Sequence, residues 1–193
     1  MWRLLLVPAL AGLLLTGCTE LPSAESGARP TQQHTDYYMN RALSPVIWTP
    51  DPGPITRIEI RIGEAKLYAF QGNKVVGRTS ISTGKEGHPT VAGDYKVIAK
   101  DKDHHSNLYG SFVDAAGTTV DNGATASQTP PAGAHFAPAP MLFYLRLSDD
   151  GTGMHAGYVT GTPVSHGCIR LPPFFAEDLF NQTPEGTPVK IVP

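Results

Sequence analysis

Cysteine is scarce in this sequence: two residues in 193, Cys18 and Cys168, so at most one internal disulfide is available. A disulfide-stapled scaffold is therefore excluded. Charge is sparse as well. Asp, Glu, Lys and Arg make up 17 % and the formal net charge is −2, which gives no electrostatic footing for nucleic acid. Only one long apolar run exists, so a multi-span membrane protein is excluded. Hydrophobic residues at 40 % exclude the composition of an intrinsically disordered chain. What the chain does have is punctuation. Its 20 glycines and 18 prolines make turns frequent and long helices unexpected.

The single apolar run stands at the N-terminus. Arg3 precedes Leu4 to Leu15, which is almost wholly apolar. As a helix this run rises only about 18 Å, short of the ~30 Å hydrocarbon core of a bilayer, so it reads as a secretory signal core. It closes on Leu15-Thr16-Gly17-Cys18, small residues ahead of a thiol, which resembles a bacterial lipobox. The expectation is a signal peptide over residues 1–17 and a diacylglycerol on Cys18. The lipid would anchor the protein to a membrane on its extracytoplasmic side, each buried methylene contributing ~0.8 kcal/mol. Thr19 is not the aspartate that commonly retains lipoproteins at the inner membrane, so the outer membrane is favoured where the cell has one. An ordinary signal peptide with a chance cysteine is the plainer alternative.

Residues 18–54 carry Pro22, Pro30, Pro45, Pro50, Pro52 and Pro54 among Ser, Thr and Gln. They read as a tether, mostly without packed structure, in which Tyr37-Tyr38-Met39 and Val46-Ile47-Trp48 are apolar enough to dock. The pattern changes at Ile55, and residues 55–193 read as one domain. Ile58, Ile60 and Ile62 alternate with Arg57, Glu59 and Arg61, a strand with one face buried. Leu67–Phe70 and Lys74–Val76 flank Gln71-Gly72-Asn73 as a hairpin. Arg78–Ser82, Asp94–Ala99, Met141–Leu147 and Val189–Val192 read as further strands. Residues 114–140, rich in Ala, Gly, Thr and Pro, read as a long irregular excursion. Pro172-Pro173 ahead of residues 174–180 opens a short helix, with Phe175 and Leu179 sharing a face. The fold class is mainly β, a sandwich or partial barrel with one or two short helices.

Chemistry concentrates in Met154-His155-Ala156-Gly157 and Ser165-His166-Gly167-Cys168-Ile169-Arg170. With Cys18 lipidated, Cys168 is an unpaired thiol in an oxidising compartment. A thiol of pKa near 8.5 is only a few per cent thiolate at neutral pH, and a neighbouring imidazole can take its proton. Gly167 lets backbone approach a substrate carbonyl, and N–H groups there are candidates for stabilising an oxyanion. The chemistry these residues suit is acyl transfer through a thioester. Plainer readings stand beside it: Cys168 as a buried small residue, His155 as a satisfied core histidine, His166 as a loop brace. His104-His105 with Asp101 and Asp103 has the composition of a metal cluster, but on a polar turn it reads more simply as a solvated face.

The motif from Ser165 to Arg170, with His155 upstream, resembles the active-site signature of the L,D-transpeptidases, the YkuD domain family. Ser82-Thr83-Gly84, Pro89-Thr90, Gly93-Asp94-Tyr95 and Gly186-Thr187-Pro188-Val189 fall in the matching order, so the resemblance covers roughly residues 55–193. It implies a β-rich fold, no metal or other cofactor, and sensitivity to carbapenems. It implies Cys168 as nucleophile and His155 as general base, with the backbone of Ala156 or Gly157 orienting the imidazole. Ser165, His166 and Gly167 would shape the pocket, and Arg170 would hold the donor peptide or the loop. Tyr144 is a candidate for the substrate groove. The partners implied are peptidoglycan stem peptides, with another stem or a lysine on an envelope protein as acceptor. Hydrolysis of the same stems, or non-catalytic binding of peptidoglycan, are the alternative functions. Two departures stand out: a His155-to-Ser165 spacer shorter than in much of the family, implying a smaller lid, and Val91-Ala92 where a proline-containing pattern is more usual.

Overall fold

A computed structural model describes residues 46–193. The leader, Cys18 and Tyr37-Tyr38-Met39 lie outside the described residues. Thirteen strands and one helix are present among those described. In chain order they are β1 (Ile47–Trp48), β2 (Arg57–Arg61), β3 (Lys66–Gln71), β4 (Lys74–Ser80), β5 (Gly93–Lys96), β6 (Ala99–Asp101) and β7 (His105–Asp114). There follow β8 (Thr119–Thr125), β9 (Ala134–Pro140), β10 (Tyr144–Arg146), β11 (Gly153–Ala156), β12 (Ile169–Leu171), α1 (Pro173–Gln182) and β13 (Pro188–Val192). The architecture is mainly β. None of the helices among the described residues is long and apolar enough to cross a membrane.

A six-stranded sheet runs β1-β4-β3-β2-β13-β5, and a four-stranded sheet runs β12-β11-β10-β6. The alternation in β2 does what period two requires: Ile58 and Ile60 are buried while Glu59 faces outward. The β3–β4 hairpin turns at Gly72, whose φ of +57° suits a residue without a Cβ. One core joins the sheets, with Ile58, Ile60, Leu67, Leu145, Met154, Ile169 and Val189 among its members. The helix seals it. Pro173 sits in the first turn, where its missing N–H costs nothing, and Phe175, Ala176 and Leu179 are buried against β10 and β11. Trp48 of β1 meets the Phe175 ring edge-on at 5.1 Å, so the end of the proline-rich segment packs on the domain.

Several sequence expectations need correction. Residues 114–140 are not irregular: β7, β8 and β9 form a three-stranded antiparallel sheet in the order β8-β7-β9. Most of β8 is exposed and polar, so it carries no apolar alternation to read. The prolines of β9, Pro138 and Pro140, are tolerated because β9 is an edge strand. Residues 141–147 do not form one strand either. Phe143 takes a positive φ of +55°, and only Tyr144–Arg146 pairs as β10. The stretch 94–99 divides between β5 and β6, which belong to different sheets. Residues 78–80 continue β4, while Ser82 makes an isolated bridge to Arg170.

Candidate active site

The site is built at one end of the parallel β11–β12 pair. Its register sets Met154 opposite Ile169, His155 opposite Arg170 and Ala156 opposite Leu171. Cys168 immediately precedes β12 and so arrives beside the start of β11. His155, Cys168 and Arg170 line one cleft of about 680 Å³, together with Tyr144, Ala156, Gly157, Ser165 and His166.

His155 is buried, and its Nδ1 lies 2.8 Å from the carbonyl oxygen of Ala156. A carbonyl only accepts, so Nδ1 carries the proton and Nε2 keeps a lone pair. Burial pushes the imidazole pKa down to about 4; Arg170 and His104 push the same way, against the Ala156 carbonyl. The ring is therefore neutral at pH 7. Of the two backbone candidates, it is Ala156 whose carbonyl holds the ring. Gly157 instead lets Arg170 lie close: a Cβ there would sit 3.2 Å from the arginine side chain.

Cys168 is half-buried and a free thiol. Burial pushes its pKa up, and Asp150 adds to the rise, while a hydrogen bond from the Gly153 backbone and the Arg170 charge pull it down. Its Sγ donates to the Gly151 carbonyl at 3.6 Å. Tyr144 donates its hydroxyl to that same carbonyl at 2.7 Å, and burial raises the phenol to about 12. A neutral thiol and a neutral imidazole with an open nitrogen thus share one cleft.

The cysteine loop is fastened to residues 82–90. Ser82 and Arg170 exchange backbone hydrogen bonds at 3.2 and 2.8 Å. Thr90 Oγ1 donates to the Gly167 carbonyl at 2.8 Å and receives the Gly84 N–H at 2.8 Å. Ser165 is buried, and its Oγ donates to the Cys168 carbonyl while accepting the Gly167 N–H at 3.1 Å. That N–H therefore holds the loop. His166, in the lining of the same cleft, stacks its ring on Tyr109 of β7 at 4.1 Å and meets His88 edge-on at 5.0 Å.

Residues 55–191 match the L,D-transpeptidase catalytic domain, YkuD. The chain belongs to this family.

The YkuD assignment agrees with the solved structures it resembles. It is 26 % identical to a mutant of the Enterococcus faecium L,D-transpeptidase in which serine replaces a cysteine. That match has a TM-score of 0.53 and covers 72 % of this chain and 50 % of the other. The isolated catalytic domain from E. faecium is also 26 % identical, with a TM-score of 0.51, covering 74 % of this chain and all of that one, 100 %. An L,D-transpeptidase from Mycobacterium smegmatis shares the fold at 18 % identity and a TM-score of 0.54, over 73 % of this chain and 60 % of that one. The chain spans about half the length of the longer E. faecium structure. Among proteins with curated functions, none matches the chain in sequence.

Sequence reasoning missed part of this YkuD cleft. The β7–β9 sheet supplies one wall through Ser106, Asn107, Leu108 and Tyr109, and His104 lines it as well. The segment shows no hydrophobic pattern, because it faces the cleft and solvent rather than the core. Among the described residues no cluster of three or more His, Cys, Asp or Glu could hold a metal ion. His104 Nδ1 instead lies 3.1 Å from Asp101, and His105 Nδ1 donates to the Asp103 carbonyl at 2.8 Å.

Proposed function

We propose that this protein is an L,D-transpeptidase that acts on peptidoglycan stem peptides through a thioester on Cys168. The observation that carries the reading is the β11–β12 register, which puts the thiol and a neutral, carbonyl-anchored imidazole in one cleft. Cys168 Sγ attacks the carbonyl of the third residue of a tetrapeptide stem while His155 Nε2 takes the thiol proton. The C–N bond to the terminal D-alanine breaks, and His155 returns the proton to the departing nitrogen. The thioester then passes to an amine on another stem, giving a 3–3 cross-link, or to a lysine of an envelope protein.

Both partners rest neutral, because burial raises the thiol and lowers the imidazole. Proton transfer therefore accompanies C–S bond formation, and no standing thiolate–imidazolium pair is required. An uncharged, half-buried thiol is also less open to adventitious oxidation, which follows thiolate character. Arg170 and Tyr144 line the same cleft.

The test is incubation of the purified protein with disaccharide tetrapeptides, followed by mass spectrometry. The expected product has lost D-alanine and joined two stems. A product that has gained only water would mark an L,D-carboxypeptidase instead. We further propose that lipid on Cys18 holds the domain at the cell envelope. Cys18→Ser should then abolish palmitate labelling and membrane fractionation, and unchanged partitioning into detergent would defeat the idea.

A further inference from the structure

We infer that His104 is a second proton acceptor in this cleft, serving the incoming amine. The inference rests on the transpeptidase reading and extends it to the second half of the reaction. A lysine-type amine has a pKa of about 10.4, so it reaches the site at pH 7 as an ammonium with no lone pair. One proton must leave before it can attack. Another must leave as the amide forms. His155 can carry only the latter, from the attacking nitrogen to the departing sulfur, since a single imidazole nitrogen holds one proton at a time.

His104 is placed for the former. It lines the same cleft as Cys168 and His155. Its Nδ1 pairs with Asp101 Oδ2 at 3.1 Å, which leaves Nε2 as the accepting nitrogen and gives the ring a carboxylate to stabilise it once protonated. Its ring stacks on Tyr144 at 4.2 Å with the planes 11° apart. The Tyr144 hydroxyl binds the Gly151 carbonyl at 2.7 Å, and the Cys168 thiol binds the same oxygen at 3.6 Å. One brace therefore links imidazole to thiol. The His104 side chain is 27 % exposed, open enough to hand its proton to water, whereas His155 is 7 % exposed. The titratable and charged groups around His104 are Asp101, Lys102, Asp103 and His105 from its own turn, Tyr144 from β10 and His155 from β11.

The step balances. The ammonium gives one proton to His104 Nε2, and the freed lone pair attacks the thioester carbonyl. The C–N bond forms, the C–S bond breaks, and His155 moves the second proton from nitrogen to sulfur. His104 then releases its proton to solvent, so each transfer yields amide, thiol and one proton.

The experiment uses the full chain, acylated with a tetrapeptide donor, and two acceptors. One is a lysine ε-amine, and the other a dipeptide α-amine of pKa about 8; at pH 8.5 the α-amine is already largely neutral while the ε-amine is still almost wholly ammonium. His104→Gln should slow transfer to the ε-amine by about 10²-fold, the lower end of what a lost proton acceptor costs, and transfer to the α-amine by under about threefold. Acylation and hydrolysis of the thioester should change by less than about threefold, because neither step involves an ammonium. Asp101→Asn, which keeps the imidazole in place, should show the same selectivity at a smaller size. Equal losses on both acceptors would reduce His104 to a brace for Tyr144, and an unchanged ε-amine rate would remove it from the reaction. A wild-type protein that forms no thioester would instead fail the transpeptidase reading itself, visible by mass before any acceptor is added.

Discussion

His155 and Arg170 stand opposite each other in the parallel β11–β12 ladder. Cys168 lies two positions before Arg170, so the two-residue period of an extended chain sends all three side chains toward the same face. Arg170 is partly buried there, and its charge depresses the pKa of both His155 and Cys168. One cation thus adds to burial in keeping the imidazole neutral and works against burial at the thiol.

Replacing that cation should be legible in thiol reactivity. Arg170→Gln is expected to move alkylation of Cys168 by iodoacetamide toward higher pH and to slow it about threefold to tenfold at pH 7. An unshifted alkylation profile would mean that Arg170 acts on the peptide alone.

His155→Ala should slow acylation at pH 7 by ~10²–10⁴-fold, the usual contribution of a general base. Because a thiol ionises unaided at high pH, raising the pH past about 9 should restore part of the rate. In the wild type the acid limb should fall near pH 4, where the buried imidazole titrates, and not near 6.5. Stopped-flow acylation against pH checks both. A wild-type rate in the alanine variant would pass the base role to another residue.

The same burial makes stability depend on acid. The folded imidazole titrates at about 4 and a free histidine at 6.5, so the unfolded chain takes up the proton first as pH falls. The contribution is complete above pH 6.5. It declines by about 1.4 kcal/mol per pH unit between 6.5 and 4, close to 3 kcal/mol in all. Urea unfolding at pH 7.0, 5.5 and 4.5 should show this slope in the wild type and its loss in His155→Ala. Equal slopes would place the imidazole in water.

How much of this was readable beforehand depends on where each signal resides. The alternation of Ile58 and Ile60 announces a strand because one face of β2 is buried. The loop from Ser165 to Cys168 announces the site because a thiol, an imidazole and a glycine in one motif are residue types that suit acyl transfer. The strands β8 and β9 leave no such mark: Thr119–Thr125 is largely exposed, and Ala134–Pro140 carries edge prolines. Phe143 breaks an apolar run by its positive φ, which a phenylalanine does not advertise. His104 looks like part of a solvated acidic turn, since its stacking on Tyr144 joins residues forty positions apart in sequence.

His166 neighbours Cys168 in sequence, yet it stacks on Tyr109 and His88. His166→Ala should lose about 1 kcal/mol of stability, as for an aromatic pair, with an acylation loss of tenfold or less. Thermal melting beside acylation kinetics checks this. A kinetic loss as deep as that of His155→Ala, with the melting temperature unchanged, would make His166 a participant in the chemistry.

The claim on which the rest depends is that Cys168 takes an acyl group, and intact-protein mass spectrometry after exposure to a carbapenem tests it most directly. The wild type should gain the mass of one ring-opened inhibitor, and Cys168→Ala should gain none. An adduct of equal yield on the alanine variant would contradict the account.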